Sequence, residues 1–332
     1  MKKILLIHTG GTFGMMPLHP SQALAPTDIA DLILKYLPDI QTLAEIDFEI
    51  SFNIDSSNIQ IEHWQKLGRL IRQNYQKYDG FVIIHGTDAM VYTASALSFM
   101  LQGLDKPVIL TGSQRPLALI RSDARSNLIS SIELATHPIP EVGIFFGTTL
   151  YRGNRTIKIS STSYEAFASP NAAVLAQVGL DISLSKNILE AGNSLQYQDS
   201  FDHQVICFRF HPGLSPDYCQ HFINSPIRGI VLEALGVGNL PINENSFIPW
   251  IESMTDAGKI VIITSQSPYG RVDLSLYECG HQIKDAGGIP ASDMTTACSL
   301  IKLMFLLGKF PSDIKMVRKE FQTAIAGEMS IS

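Results

Sequence analysis

The sequence predicts an α/β protein with a larger, mostly parallel, doubly wound N-terminal domain and a smaller C-terminal α/β domain. Short apolar runs alternate with segments of helical periodicity along most of the 332 residues. This alternation is typical of a parallel sheet covered by helices on both faces. A polar, irregular stretch interrupts the pattern after about residue 180, and the pattern then resumes. Hydrophobic residues make up 45% of the chain, which is enough for a sizeable core.

The strands of the N-terminal domain are predicted from continuous apolar runs. The first run is Ile4 to Ile7, and further runs lie at 48–54, 80–85, 107–111 and 142–146. Helices are expected at 62–78 and 89–101, where apolar residues recur with the helical period. Strands that alternate with helices in this way are expected to be parallel to one another.

Composition also predicts the domain limits. Residues 181–203 contain four serines, two asparagines and one glycine and have few apolar residues, which is typical of a linker. We therefore expect an N-terminal domain at 1–182, a linker at 183–203 and a C-terminal domain at 204–332. The expected elements of the second domain are strands at 205–210, 229–232 and 260–264 and helices at 244–257, 274–286 and 295–307.

Charge and cysteine content exclude several classes of partner. The net charge of −6, without any basic stripe, argues against nucleic acid and anionic membranes and favours a small-molecule ligand. The four cysteines are widely spaced, so neither a zinc site nor a disulfide framework is expected. No apolar run is long enough for a membrane span, and the one after Lys3 is too short for a signal peptide. We expect a cytoplasmic protein with reduced thiols.

Two glycine-threonine turns follow predicted strands and indicate a site. Gly10 and Gly11 precede Thr12 after the first strand, and Gly86 precedes Thr87 and Asp88 after the third. Ligands of open α/β sheets bind beyond the carboxyl ends of strands, so both turns are expected to face one crevice. A hydroxyl beside free backbone amides is a possible nucleophile.

A lysine near these turns would complete a relay able to activate a hydroxyl or a water. Lys158 is a candidate because it lies in a polar, glycine-containing segment just after a strand. Taken alone, such a lysine is more often a surface charge, and a single Gly-Thr turn is more often structural. His8 and His85 are interpreted as satisfied structural histidines without a catalytic role.

Taken together, the motifs of this chain resemble those of the bacterial L-asparaginases, especially the cytoplasmic type I group. The matching motifs are HTGGT at 8–12, DSSN at 55–58, HGTD at 85–88, LTGSQRP at 110–116, RGNR at 152–155 with Lys158, ASPN at 168–171, GVGNLP at 236–241, and SQ at 265–266 with GRV at 270–272. They extend over nearly the whole chain, and the paired threonine motifs at this separation are highly specific.

The resemblance implies hydrolysis of the side-chain amide of L-asparagine through an acyl-enzyme on a threonine. Position by position, it implies that Thr12 is the nucleophile. Thr87, Asp88 and Lys158 would form a second catalytic group, a relay of a hydroxyl, a carboxylate and an amine. Asp88 would also hold the substrate α-amino group. Ser56 matches the serine that binds the α-carboxylate, and Ser57 occupies the next contacting position. No metal or organic cofactor is implied, and a homodimer or homotetramer is expected.

Three positions depart from the family pattern. The loop after the first threonine usually carries a tyrosine, whereas the sequence here reads ALAP at 23–26, with Leu24 near the tyrosine position. Ala89 replaces a threonine after Asp88, and we expect little effect of that change. Ile157 replaces a threonine that helps bind effector asparagine in allosteric members. The sequence therefore leaves open how Thr12 is activated and whether asparagine regulates the protein.

Two alternative functions remain open at this stage. An amidase subunit of an archaeal tRNA-dependent amidotransferase shares the catalytic motifs but usually has an extra N-terminal domain, whereas the first strand here begins at Lys3. A non-catalytic amino-acid-binding protein is the second alternative, and the missing tyrosine favours it. The presence of Thr12, Thr87, Asp88 and Lys158 favours the hydrolase, because binding alone needs neither the lysine nor both hydroxyls. Preference for asparagine over glutamine is also left open.

Overall fold

The structure, a computed structural model, describes residues 1–17, 24–26 and 29–331. The chain forms two compact units, Met1–Asp199 and Ser200–Ser332. The expected limits at 182 and 204 stay a prediction, although residues 182–184 and 196–197 form strands within the first unit.

The elements of the first unit alternate as the sequence predicts. Its strands are β1 (Lys3–Gly10), β2 (Met15–Pro17), β3 (Leu24–Pro26), β4 (Glu45–Ile54), β5 (Gly80–Ile84), β6 (Leu101–Gln102), β7 (Val108–Thr111), β8 (Val142–Phe146), β9 (Thr149–Arg152), β10 (Ile157–Lys158), β11 (Phe167–Ala168), β12 (Ala176–Val178), β13 (Ile182–Leu184) and β14 (Gln196–Tyr197). Its α-helices are α1 (Ile29–Tyr36), α2 (Ile61–Asn74), α3 (Met90–Met100) and α4 (Ala124–Leu134).

Within the described part of the first unit, the main sheet has eight strands in the order β13-β12-β9-β8-β7-β5-β1-β4. The strands from β4 to β8 in this order are mutually parallel. The pairs β8–β9, β9–β12 and β12–β13 are antiparallel. From β1 the chain passes to β4 on one side and then to β5 on the other. The strand order therefore reverses beside β1, and such a switch point is where open α/β sheets bind ligands.

Burial explains why the central strands are apolar throughout. All five residues of β5 are buried, as are seven of the eight residues of β1. Helix α3 is apolar around most of its circumference, and only Tyr92 among its residues is exposed. An apolar surface all round is expected of a helix enclosed by its neighbours.

The second unit is a smaller layer of the same type. Its strands are β15 (Val205–Arg209), β16 (Gly229–Ala234), β17 (Ile260–Ser265) and β18 (Ile289–Pro290), and its α-helices are α5 (Ile248–Asp256), α6 (Glu278–Asp285), α7 (Thr296–Lys309) and α8 (Ile314–Phe321). The four strands lie in chain order, and every pair is parallel. A separate core around Trp250 and Phe247 packs against this sheet.

The predicted fold class is confirmed, and the differences lie in three helices, in the end of α2 and in the short strands. Helix α2 ends at Asn74, whereas the periodicity predicted helix as far as residue 78. Helices α1, α4 and α8 and the antiparallel strands beyond β8 were not predicted from the sequence. Strands of two or three residues carry too little periodicity to be recognised, and their pairing partners determine where they form.

Candidate active site

Three turns that carry predicted site residues meet at one edge of the main sheet. Thr12 begins a 3-10 turn directly after β1, Ser56 begins another after β4, and Thr87 follows β5. These three strands are neighbours in the order β5-β1-β4 and are parallel. Their carboxyl ends therefore lie together at the switch point of the sheet.

Glycine allows the first and third turns to touch. A Cβ atom built on Gly11 would lie 2.5 Å from the Cα atom of Gly86, so the two backbones are in direct contact. Gly11 also has a φ of 83°, a conformation that side chains other than glycine rarely adopt. Its amide donates to the carbonyl of Ile54 over 3.1 Å. The glycine before Thr12 thus fixes the Thr12 turn against the Thr87 turn.

Ser56 lies on the other side of Gly86. A Cβ atom on Gly86 would lie 2.6 Å from Ser56 Oγ, and the amide of Ala89 lies 3.4 Å from the same oxygen. Ser56 is buried, whereas Ser57 is exposed. The amide and hydroxyl of Ser57 donate to Asp55 Oδ1 over 2.8 and 2.7 Å. These bonds hold the pKa of Asp55 below its usual value and fix the turn.

Lys158 joins the Thr87 turn from a distant part of the chain. Its ammonium Nζ donates to Thr87 Oγ1 over 2.8 Å and also contacts Asp88 Oδ1. The Lys158 side chain is only 16% exposed, whereas that of Asp88 is 70% exposed. The ammonium is therefore in contact with both a hydroxyl and a carboxylate, and the carboxylate remains open to a ligand.

The position of Lys158 depends on two packing contacts. Strand β10, which contains Lys158, pairs antiparallel with β11, so that Lys158 lies opposite Phe167. The preceding 3-10 turn, Gly153–Arg155, lies against α3, because a Cβ atom on Gly153 would be 2.9 Å from the Cβ of Ala94. Helix α3 begins two residues after Asp88, and this packing brings the lysine to the carboxylate.

Of the predicted residues, Thr87, Asp88 and Lys158 are in direct contact, and Thr12 and Ser56 lie on turns whose backbone or side chain touches Gly86. Strand β3, which contains Leu24, pairs antiparallel with β2. Ala23 and the side chain of Leu24 lie outside the described residues, so the match of Leu24 to the position of the family's loop tyrosine stays a prediction.

The two histidines that precede the turns differ from each other. Both ring nitrogens of His85 have partners: Nδ1 lies 2.7 Å from Gly86 O and Nε2 lies 3.0 Å from Thr93 Oγ1. His8 Nδ1 has no hydrogen-bond partner among the described residues, so the prediction of a satisfied histidine was wrong for this nitrogen. Burial lowers the pKa of each imidazole to about 4, and both rings are therefore neutral at pH 7.

Sequence reasoning missed the residues that hold the turn after β7, the strand next to β5 in the sheet. Asp123 accepts hydrogen bonds from the amides of Gln114 and Arg115 over 2.9 and 3.1 Å, and Asn127 donates to the carbonyl of Gly112 over 2.9 Å. Burial raises the pKa of Asp123, and these bonds oppose the rise. An aspartate and an asparagine one helical turn apart, at the start of α4, were the available signal.

The described residues contain no group of three or more His, Cys, Asp and Glu side chains placed to hold a metal ion. Within the part of the chain that the structure describes, none of the four cysteines forms a disulfide. None of the helices in the described ranges is both long and apolar enough to cross a membrane.

Comparisons with known proteins agree with this arrangement. A family model described as "Asparaginase, N-terminal" matches residues 3–190, and one described as "Glutaminase/Asparaginase C-terminal domain" matches residues 204–321. The chain is 38% identical to L-asparaginase 1 of Escherichia coli K12, over 99% of this chain and 98% of that protein. It is 34% identical to a glutamyl-tRNA(Gln) amidotransferase subunit of Pyrococcus horikoshii, over 98% of this chain and 76% of that protein.

A solved structure of L-asparaginase I from Vibrio cholerae is similar throughout. It superposes with a TM-score of 0.89 at 35% identity and covers 99% of both chains. The resemblance that the motifs indicated is thus confirmed over both units. This chain belongs to the asparaginase family.

Proposed function

We propose that this protein hydrolyses the side-chain amide of L-asparagine to give L-aspartate and ammonia. The observation that carries the proposal is the contact of Lys158 with both Thr87 and Asp88, on a turn that touches the Thr12 turn. Two threonine hydroxyls, a carboxylate and an ammonium at a sheet switch point form a set suited to acyl transfer. L-asparaginases among the relatives support the same activity.

In the first step, Thr12 Oγ1 forms a bond to the amide carbon of the substrate. The carbon–nitrogen bond then breaks, and the hydroxyl proton of Thr12 is transferred to the leaving nitrogen, so that ammonia departs from an ester on Thr12. Backbone amides in the Thr12 and Thr87 turns are suited to stabilise the oxyanion. Removing one donor of this kind costs about 10²–10³ in rate.

In the second step, a water molecule cleaves the ester. Its oxygen bonds to the acyl carbon, the carbon–oxygen bond to Thr12 breaks, and one water proton returns to Thr12. The product carboxyl group loses the other proton. We assign the placement of this water to the Thr87 hydroxyl, which accepts from Lys158 Nζ at 2.8 Å and precedes Asp88.

Substrate binding follows from charge and position. The exposed carboxylate of Asp88 would pair with the α-amino group, and the buried Ser56 hydroxyl would donate to the α-carboxylate. Ser57 would supply an additional contact. Glutamine is one methylene longer, and a pocket discriminates one methylene by about 1–3 kcal/mol, so weak glutaminase activity is expected.

The alternative functions are less favoured. An amidotransferase role has support from the Pyrococcus horikoshii relative at 34% identity, but the identity to the bacterial asparaginase is higher, at 38%. A binding protein would need Asp88 and Ser56 but would not need Lys158 to contact Thr87.

The deciding experiment measures ammonia release by the purified protein from L-asparagine, L-glutamine and D-asparagine at millimolar and submillimolar concentrations. We expect the rate to be highest with L-asparagine and to fall at least about 10³-fold in Thr12→Ala, with circular dichroism unchanged. Thr136→Ala, at a half-buried threonine that bonds to the Glu133 carbonyl, is the matched control and should keep full activity. Full activity in Thr12→Ala would refute the proposal.

We further propose that the protein is a cytoplasmic homodimer or homotetramer. Cysteines that are not joined in disulfides, as in the described residues, are typical of a reducing compartment. Light scattering coupled to size exclusion would measure the mass of the assembly against the 36.5 kDa of one chain. A monomer at micromolar concentration would contradict this part of the proposal.

A further inference from the structure

A buried chain of hydrogen bonds runs from α2 to the turn that carries Thr87. Trp64 Nε1 donates to Thr93 Oγ1 over 3.1 Å, Thr93 Oγ1 lies 3.0 Å from His85 Nε2, and His85 Nδ1 lies 2.7 Å from Gly86 O. Trp64, Thr93, His85 and Gly86 are all buried. The last group of this chain is the carbonyl of the residue that precedes Thr87.

The chemistry of the end groups fixes the direction of the chain. The indole N–H of Trp64 can only donate and the carbonyl of Gly86 can only accept. His85 Nδ1 must therefore carry a proton, and the neutral ring then accepts at Nε2 from the hydroxyl of Thr93. Burial, which lowers the pKa of His85 to about 4, keeps the ring in this neutral form near pH 7. One tautomer thus satisfies every bond.

Close contacts confine the backbone of His85. Its backbone amide donates to Thr111 O over 2.8 Å, and a Cβ atom on Gly112 would lie 2.3 Å from its carbonyl oxygen. Gly86 is itself confined between Gly11 and Ser56. The hydrogen-bond chain consequently ends at Gly86, the residue that contacts the turns carrying Thr12 and Ser56.

We propose that His85 is a positioning residue, which holds the Gly86–Thr87 peptide in the orientation that places Thr87 Oγ1 against Lys158, with Thr93 and Trp64 fixing its tautomer. This inference rests on the proposed function, because it assigns a role to the position of Thr87. Thr87 acts on the reacting atoms and Asp88 binds the substrate, so a loosened turn should lower kcat by a larger factor than it raises KM.

The test compares Thr93→Val, which removes the hydroxyl and keeps the branched shape, with Thr93→Ser, which keeps the hydroxyl and removes the methyl group. We expect kcat for L-asparagine to fall about 3- to 10-fold in Thr93→Val, the effect of one net hydrogen bond, and to stay within about twofold in Thr93→Ser. KM should change by less than about twofold in both variants. His85→Leu, which removes both bonds of the ring, should lower kcat further if it folds.

A spectroscopic measurement separates positioning from stability. In protein labelled with ¹⁵N at histidine and glycine, His85 should show the Nδ1–H tautomer, and the Gly86 signal should shift in Thr93→Val but not in Thr93→Ser. Equal kcat in the two variants, a change confined to KM, or a lower melting temperature with unchanged kcat would each overturn the inference.

Thr87→Ala, measured in parallel, distinguishes failure of the positioning role of His85 from failure of the role assigned to Thr87. If Thr87→Ala is inactive and Thr93→Val has the wild-type kcat, the positioning role fails and the proposed function stands. If Thr87→Ala retains full activity, the assignment of Thr87 fails, and the role of His85 fails with it.

Discussion

Two lysine–carboxylate pairs, one in each unit, place the same chemical groups in opposite surroundings. In the first unit, Lys158 contacts Asp88, whose side chain is 70% exposed. In the second, Lys302 Nζ lies 2.5 Å from Glu328 Oε1, and both side chains are 0% exposed. Burying a charge costs free energy unless hydrogen bonds replace the lost water. The two pairs therefore need different surroundings.

The remaining contacts show that the buried pair is saturated. Lys302 Nζ also donates to Thr323 O over 2.6 Å, and Glu328 accepts from the amides of Ile325 and Ala326 over 3.0 and 2.7 Å. These bonds hold the segment after α8 against α7. Asp88 is instead exposed at the end of β5, where a substrate ammonium can reach it. The partly exposed Lys158–Asp88 pair, called here the open pair, is available for chemistry. The buried Lys302–Glu328 pair serves stability.

Lys158→Met should have the largest effect of these variants, and the effect should be on activity. We expect a loss of about 10³- to 10⁴-fold in kcat/KM for L-asparagine, because Thr87 loses its ammonium partner. The melting temperature should change little, since Asp88 is left in contact with water. Ammonia release and thermal unfolding measure the two effects.

The matched control for that variant is Lys106→Met. Lys106 also belongs to the first unit, but its ammonium donates to the backbone carbonyls of Tyr75 and Tyr78 over 2.9 and 3.1 Å. We expect normal kcat/KM in Lys106→Met. A Lys158→Met protein that unfolds early and keeps its specific activity would show that the open pair is structural.

Lys302→Met should have the next largest effect, and on stability. Removal of the lysine leaves Glu328 buried without its counter-charge, which costs about 3–5 kcal/mol in the free energy of unfolding. Urea unfolding measured by the fluorescence of Trp250, in a Trp64→Phe background, would report on the second unit alone.

A double variant sharpens this result. In Lys302→Met with Glu328→Leu, both charges are replaced by apolar groups, and such replacement of a buried pair is often neutral. We expect much of the lost stability to return. Equal instability of the single and double variants would mean that shape, and not charge, holds the C-terminal segment.

The last prediction concerns pH and the two buried histidines of the first unit, and the difference between wild type and variant is small near pH 7. Burial lowers the pKa of His8 and His85 to about 4, below the value near 6.5 of an unfolded histidine. The unfolded state therefore binds more protons between these values. Above pH 6.5 the two histidines do not lower the free energy of unfolding. As the pH drops from 6.5 towards 4, the free energy of unfolding falls by about 1.4 kcal/mol per pH unit for each histidine.

His8→Gln tests this slope. The variant should take up one proton fewer than the wild type on unfolding. Its free energy of unfolding should therefore fall less steeply between about pH 6.5 and 4.5. The fluorescence of Trp64, in a Trp250→Phe background, follows the unit that contains both histidines. Identical slopes would show that His8 is not protonated on unfolding in this range.

The first unit shows how far the sequence leads towards the site. Thr12, Thr87 and Asp88 could be expected at one site because each follows an apolar strand, and the ends of parallel strands lie at one edge of a sheet. Ser56 was assigned only through the resemblance of its motif to the family. The antiparallel strands β9, β12 and β13 could not be predicted, since three or four residues carry no reliable period. They form because β8 offers a free edge to pair with.

By itself the sequence determined the alternation of strands and helices, the two cores and the glycine turns, because apolar periodicity and backbone freedom are local properties. Only the tertiary structure decided which side chains meet. Lys158 reaches Thr87 across 71 positions of the chain, His85 meets a hydroxyl on α3 and through it an indole on α2, and Lys302 meets Glu328. Such contacts depend on how distant segments pack, and no local pattern encodes that packing.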